Sequence, residues 1–290
     1  MKILITGAGG QLGKELQKTA PQQHEIIACS FDTLDICNKK QLDEFVAINK
    51  PDYVINTAAY TLVDKAEQEK EQAYNINVEG AGNVARAAMN CGAGLVQLST
   101  DYVFNGKTGR PYLPDDKPDP ISVYGESKYK GELMAREEHD KCIILRTSWL
   151  YSSHGNNFVK TMLKLLGNKT ELRVISDQVG TPTWTNGLAA FIWNLLKTPD
   201  ITGTYHWTDA GVASWYDFTV AIMDEALKLN MLQNEVSVIP ITTEEYPTPA
   251  KRPLYSVLDK TTAWALNGKP ASHWRVSLRH MLEELKASSC

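Results

Sequence analysis

Apolar and polar positions alternate along this chain on two length scales. Short apolar runs, many of them β-branched, occur at Lys2-Ile3-Leu4-Ile5, Glu25–Cys29, Tyr53–Asn56, Gly94–Ser99 and Cys142–Arg146. Between them lie longer stretches with apolar residues at helical spacing: Gly13 to Ala20, Lys39 to Asn49, Glu67 to Cys91 and Ser127 to Glu138. Runs of the first kind read as strands and stretches of the second as amphipathic helices. Their alternation predicts an α/β fold of Rossmann type, a doubly wound parallel sheet with helices on both faces and right-handed crossovers.

The rhythm changes after Trp149. Asn157 to Leu166 reads as a helix, Glu171 to Ser176 as a strand, and Gly180-Thr181-Pro182-Thr183 as a turn or loop. Asn186 to Leu196 is a further helical pattern, Thr204 to Trp207 a strand, and Pro240 to Pro253 a Pro-rich loop. The expected division is a larger domain from residues 1–148 and 183–210. A smaller C-terminal α/β domain would come from residues 149–182 and 211–290, built by returns of the chain. No internal repeat or low-complexity segment is visible.

A length of 290 residues suits one large domain or two that share a core. With 43% apolar and 22% charged residues, the composition is that of an ordinary globular protein. The net charge of −4 excludes a general attraction to nucleic acid or to an anionic membrane. A phosphate-bearing ligand must therefore be held by local donors. Cys29, Cys37, Cys91, Cys142 and Cys290 include no C-x-x-C pair and have no histidine cluster beside them. They read as reduced thiols of a cytoplasmic protein. The chain opens directly into a strand at Lys2, without room for a signal peptide, and no apolar run has spanning length. A cytoplasmic location is expected.

Chemistry enters with the turn after the first strand, Thr6-Gly7-Ala8-Gly9-Gly10-Gln11-Leu12-Gly13. Glycines at such a strand-turn-helix junction permit a tight turn and close approach of a ligand to the backbone. The helix N-terminus offers unpaired N–H groups to a pyrophosphate. A carboxylate that binds the ribose hydroxyls of NADH would fall at the end of the second strand. Ser30 stands there, followed by Phe31 and Asp32, and no arginine is near. The pattern leans to NADPH, or to use of both NADPH and NADH.

Tyr124-Gly125-Glu126-Ser127-Lys128 is the only Tyr-x-x-x-Lys in the chain. Residues four apart share a helix face, so the ammonium is expected beside the phenol, where it would lower the phenol pKa. Such a tyrosine can exchange a proton with a carbonyl oxygen or an alcohol. Ser99-Thr100-Asp101-Tyr102-Val103-Phe104 follows the fourth strand. Thr100 at that strand's carboxyl end either holds a substrate oxygen or caps a turn. Glycine turn, Thr100, Tyr124 and Lys128 together point to a carbonyl reductase.

Further blocks carry a family resemblance. They are Asn56 to Thr61 with Val63 to Glu67, Arg146-Thr147-Ser148-Trp149-Leu150-Tyr151, Gly155-Asn156-Asn157-Phe158, Asp177-Gln178-Val179-Gly180-Thr181-Pro182-Thr183, and Arg252-Pro253. With the motifs above, they make the chain resemble the extended short-chain dehydrogenase/reductases and, among these, the dTDP-4-dehydrorhamnose reductases. The glycine turn and Tyr-x-x-x-Lys are shared superfamily-wide; the other blocks are more specific, and the last fifth of the chain matches loosely. The resemblance implies reduction of the C4 ketone of dTDP-4-dehydro-L-rhamnose by NADPH, with NADH as an alternative donor. It implies that Gly7, Gly10, Gln11, Leu12 and Gly13 meet the cofactor phosphates, and that Asp35 and Ile36 lie near the adenine. Ala59, Tyr60 and Thr61 would line the cofactor cleft beyond Ser30. Tyr124 would donate the proton, with Lys128 tuning it and bonding the nicotinamide ribose. Thr100, Asp101, Trp149 and Arg252 would meet the sugar.

The implied assembly is a monomer or homodimer. Some relatives dimerise with magnesium, but Glu15 alone assigns no metal ligand here. Nucleotide-sugar dehydratases carry Thr-Asp-Glu where this chain has Thr100-Asp101-Tyr102, which argues against elimination. The regulatory subunits of methionine adenosyltransferase also resemble this family and stand as a non-catalytic alternative, as does reduction of another nucleotide 4-keto sugar.

Overall fold

The computed structural model describes residues 1–288; Cys290 lies outside them. Cys29, Cys37, Cys91 and Cys142 are free thiols. The five apolar runs form strands β1 (Lys2–Thr6), β2 (Glu25–Cys29), β3 (Tyr53–Asn56), β4 (Gly94–Thr100) and β5 (Cys142–Thr147). Among them lie helices α1 (Gln11–Lys18), α2 (Lys39–Asn49), α3 (Val63–Ala66), α4 (Lys70–Tyr74), α5 (Ala81–Cys91) and α6 (Val123–Glu138). The later chain contributes β6 (Leu150–Tyr151), α7 (Phe158–Leu166), β7 (Glu171–Ile175), β8 (Val179–Gly180), β9 (Thr183–Trp184), α8 (Thr185–Leu195) and β10 (Gly203–His206). It ends with β11 (Ala213–Ser214), α9 (Trp215–Lys228), β12 (Ser237–Ile241), α10 (Thr261–Asn267) and α11 (Trp274–Ala287).

Six strands make one sheet in the order β2-β1-β3-β4-β5-β10, and every ladder in it is parallel. Successive side chains of a strand face opposite sides. Accordingly Ile3 and Ile5 pack with Leu12, Leu16, Leu188 and Phe191, whereas Leu4 packs with Leu42, Val46 and Val84 on the other face. Burial of both faces is why these runs read as continuously apolar. Strand order reverses between β1 and β3, and open sheets of this kind bind ligands beyond the strands' carboxyl ends at such a point.

A second layer is built around its own core. Tyr151, Val159, Phe218, Ile222, Leu278 and Met281 from β6, α7, α9 and α11 pack together. The parallel pair β7 and β12 lies in this layer. Pro240, expected in a loop, belongs to β12, which pairs only with β7. An edge strand tolerates the missing donor.

The expected turn at 180–183 carries the end of β8 and the start of β9, and two expected helices differ. The stretch from Glu67 to Cys91 is not one helix: α4 gives way to a π-helical turn at Asn75–Gly80 before α5. The buried Asn77 side chain accepts from Tyr60 N at 2.9 Å, donates to Tyr60 O at 3.2 Å and donates to Ser127 Oγ at 2.9 Å. These bonds hold the widened turn, a feature often found near functional sites. Helix α6 begins at Val123 instead of Ser127, because Ser122 Oγ caps it by accepting from Gly125 N at 3.2 Å. Tyr124 thus stands in the first turn of a rigid helix. No helix among the described residues is long and apolar enough to cross a membrane.

Candidate active site

One cleft, with a volume of about 1590 Å³, runs from the glycine turn across the carboxyl ends of the sheet to the second layer. A single small-molecule site fills about 300–1,000 Å³, so this cleft has room for two ligands. Of the residues expected at the site, all but Tyr60 line it. Tyr60 is buried with Ala66, Ala73 and Val123. Asn77 occupies its backbone N–H and carbonyl, and its hydroxyl donates to Glu69 Oε2 at 2.5 Å. Its place in the sequence suits the cleft; its side chain points elsewhere.

At one end β1 runs into the glycine turn. Gly7 is left-handed (φ +68°), and a Cβ there would lie 2.5 Å from Ala58 N; one on Gly13 would lie 2.6 Å from Gly7 O. Side chains at these positions would fill the turn. Gly10 is the N-cap of α1 and offers no side-chain cap. The first-turn N–H groups are therefore left to a ligand, with the positive end of the helix dipole behind them. The turn fits a dinucleotide pyrophosphate by this test. The Gln11 side-chain oxygen is occupied: Oε1 accepts from Asn157 Nδ2 at 2.9 Å and from Ser152 Oγ at 3.2 Å. That leaves the Gln11 backbone N–H and its side-chain Nε2 to face a phosphate. Ser30 sits against the turn, with Phe31, Asp32, Leu34, Asp35 and Ile36 following along the wall. None of these six side chains is a cation.

The reactive groups lie where β4 ends. Thr100 Oγ1 accepts from Tyr102 N at 3.3 Å and donates to Asp101 Oδ1 at 3.1 Å. Thr100 therefore caps a 3₁₀ turn at Asp101–Val103 and also lines the cleft. A Cβ on Gly125 would lie 2.2 Å from Tyr102 O. The missing side chain is what lets α6 press against this turn and bring Tyr124 to Thr100. Burial pushes the Tyr124 phenol up to about 12, with the Thr100 hydroxyl pulling it back and the Asp101 carboxylate pushing it further.

The expected lowering of this phenol by Lys128 is not seen. Lys128 Nζ donates to Leu98 O at 2.7 Å, and burial drives its own pKa down to about 8. The phenol therefore keeps its proton at neutral pH, the state a proton donor needs. Asp101 is 1% exposed. Burial raises it to about 6 against the hydrogen bonds of Ser256 and Thr100, and its Oδ2 has no partner.

The opposite wall comes from the second layer. Trp149 lines it with an unusual left-handed backbone (φ +45°). Arg252 closes the mouth: its guanidinium donates to both Asp64 oxygens, at 3.0 and 2.7 Å, and to Thr248 Oγ1 at 2.6 Å. Its charge is thereby shared with Asp64 of α3, so the pair bridges the two layers. Sequence reasoning did not single out Asp64, Tyr102, Phe158, Gln178 and Trp215, all of which line the cleft. Four of them stand inside blocks that carried the resemblance; Trp215 had no local signal. Glu15 lies outside the lining residues. Its carboxylate meets Asn186 Nδ2 at 2.9 Å, Lys18 Nζ at 3.8 Å and His154 Nε2 at 3.5 Å. Glu284, the third possible ligand there, is 2.6 Å from Lys18 Nζ. An ammonium already sits between these carboxylates.

Comparison with known proteins agrees with this geometry. The family model described as the RmlD substrate binding domain matches residues 1–287. The chain is 43% identical to the spore coat polysaccharide biosynthesis protein SpsK of Bacillus subtilis strain 168, over 100% of this chain and 99% of that protein. A crystal structure of a dTDP-4-dehydrorhamnose reductase from Clostridium acetobutylicum superposes with a TM-score of 0.93 at 44% identity, covering 99% of this chain and 100% of that one. The dTDP-4-dehydrorhamnose reductase of Bacillus anthracis strain Ames, solved in complex with NADP, gives 0.92 at 42% identity, covering 98% and 99%.

Proposed function

The chain belongs to the RmlD substrate binding domain family, and we propose that it is a dTDP-4-dehydrorhamnose reductase, which reduces the C4 ketone of dTDP-4-dehydro-L-rhamnose to dTDP-L-rhamnose with NADPH. The product would serve as a precursor for polysaccharide. The observation that carries this reading is a single cleft with a bare helix N-terminus at one end and a half-buried, proton-bearing Tyr124 beside Thr100 at the other. In our division, residues 1–148 and 183–210 hold the dinucleotide, and residues 149–182 and 211–290 the nucleotide sugar.

NADPH, when bound, supplies the hydride. The chain's part is to place the ketone and to manage charge on its oxygen. Gly10, Gln11 and Leu12 would hold the pyrophosphate through backbone N–H groups, with Gly7 and Gly13 giving it access. Ser30 would border the ribose, Asp35 and Ile36 the adenine, and Ala59 and Thr61 the cleft floor. Thr100 and Asp101 bind the sugar, Trp149 packs against it, and Arg252, anchored by Asp64, bounds its side of the cleft. As the C4 oxygen gains negative charge, Thr100 donates a hydrogen bond and Tyr124 delivers its proton. Lys128 would hold the nicotinamide ribose and leave a positive charge beside the reacting oxygen.

The test is a panel of nucleotide 4-keto sugars with NADPH and NADH, followed by the loss of reduced-nicotinamide absorbance. The dTDP-linked 4-keto-6-deoxyhexose should be reduced fastest. Tyr124→Phe should bind NADPH normally and lose about 10²–10⁴ in kcat. A Phe variant with near-normal turnover would remove Tyr124 from the mechanism. A wild-type protein that binds NADPH but turns over no member of the panel would favour the regulatory-subunit reading.

A further inference from the structure

Trp149 is the one cleft-lining residue other than glycine with a left-handed backbone. A bulky residue keeps that conformation only where its surroundings over-determine it, and such sites cluster where ligands bind. Three contacts fix it. The indole stacks on Trp215 with ring centroids 3.5 Å apart and planes within 5°. A Cβ on Gly180 would lie 2.6 Å from its Cε2, 2.7 Å from Nε1 and 2.9 Å from Cζ2. Its carbonyl accepts from Thr183 N at 3.2 Å.

Trp215 is fixed in turn. Its Nε1 donates to Gln178 Oε1 at 3.1 Å, and Gln178 Nε2 donates to Thr243 Oγ1 at 3.1 Å. The Phe158 ring packs on it at 4.5 Å. Because its only donor is committed to Gln178, Trp215 presents the cleft with an apolar surface. We propose that Gly180 and Trp215 are positioning residues for the sugar: they clamp Trp149 so that the paired indoles form a wall for the C–H face of the hexose. This rests on the reductase reading above and extends it to residues outside the catalytic group. The clamp has little slack: Trp215 lies in contact with the Trp149 ring and Thr183 holds its backbone, so a methyl group at position 180 must push the indole out of its stack.

The experiment uses the full chain and three readouts: KM and kcat for the nucleotide 4-keto sugar, Kd for NADPH, and circular dichroism, in which closely stacked indoles give a coupled pair of bands. Gly180→Ala should abolish the coupled bands and raise KM about 10-fold or more, a factor worth about 1.4 kcal/mol. Kd for NADPH should stay within about two-fold and kcat should fall less than KM rises. In a Trp149→Phe background the same substitution should cost little, since phenylalanine lacks the edge that the new methyl would meet. Trp215→Leu gives an independent probe if Gly180→Ala does not fold; it should lose the coupled bands and raise KM likewise. The proposal falls if KM is unchanged in a variant whose coupled bands are gone. It also falls if Gly180→Ala costs as much with phenylalanine as with tryptophan at position 149. A wild-type chain that reduces no 4-keto sugar would overturn the reductase reading itself, and that result is read before any variant is compared.

Discussion

Thr100 does two jobs with one hydroxyl, and the two can be measured apart. It caps the Asp101–Val103 turn and it faces the cleft beside Tyr124. Replacing it with valine removes a capping acceptor, worth about 0.5–2 kcal/mol. In the proposed mechanism it also removes a donor to the developing oxyanion, which elsewhere costs about 2.7–4 kcal/mol of barrier. Thr100→Val should therefore lower kcat by about 10²-fold or more and lower Tm by a few degrees. Thr100→Ser keeps both functions and should restore both quantities. A valine variant with lowered Tm and normal kcat would make Thr100 a turn cap alone. The same residue shows what a sequence can tell. The Thr at the end of a strand was legible, but whether it caps or catalyses was not, because both roles use the same residue type in the same place. The Lys128 pairing failed for a different reason. Spacing puts two side chains on one face, but burial and the Leu98 carbonyl, which also accepts from Gln97 Nε2 at 3.0 Å, decide where the ammonium goes.

At the scale of elements, the seam between α6 and the Thr100–Val103 turn decides the site's geometry. Gly125 is the contact point, with only 2.2 Å between a would-be Cβ and Tyr102 O. On an isolated helix, alanine is favoured over glycine by about 1 kcal/mol. Here the clash is with backbone and cannot be turned aside, and overpacking costs about 1–3 kcal/mol. Gly125→Ala should thus destabilise the protein. It should also lower kcat by about 10²-fold through displacement of Tyr124 relative to Thr100, while glycine-turn binding of NADPH persists. A stable Gly125→Ala variant with full activity would mean that α6 can slide without moving the chemistry.

The central strands were readable because parallel strands buried on both faces must be continuously apolar. The break between α4 and α5 was not, because an amphipathic pattern continues through it. What breaks the helix is one buried amide, Asn77, whose partners Tyr60 and Ser127 are remote in sequence. Helices α9 and α11 were missed for a similar reason: their apolar faces meet each other and α7, not the sheet whose rhythm organises the reading.

Across the whole molecule, two layers share one cleft, and polar groups help to hold them in register. Asp64 with Arg252 does so at the mouth. Asp209 does so just past the carboxyl end of β10, where it accepts from Trp184 N at 3.2 Å and takes a hydrogen bond from Ser277 of α11. Asp209 is 1% exposed, and burial raises it from 3.8 to about 7 against these bonds and the Lys260 charge. A carboxyl raised in the folded state keeps its proton to about pH 7, while the unfolded chain releases it near pH 4. The unfolded state then binds fewer protons between these values, so this group's contribution to stability falls as pH rises from about 4 to about 7 and stays lost above that. Each pKa unit is worth about 1.4 kcal/mol. Asp209→Asn keeps an acceptor for Trp184 N and removes the titration. The difference in Tm between Asp209→Asn and wild type should therefore move in favour of the variant from pH 5 to pH 8. Burial lowers His206 to about 3, and His206 acts with the opposite sign at acid pH, but it is common to both proteins and cancels in the difference. Thermal unfolding of the pair at several pH values measures this directly. A Tm difference that stays flat from pH 5 to pH 8 would mean that Asp209 is already ionised in the fold, held by Lys260 and its hydrogen bonds.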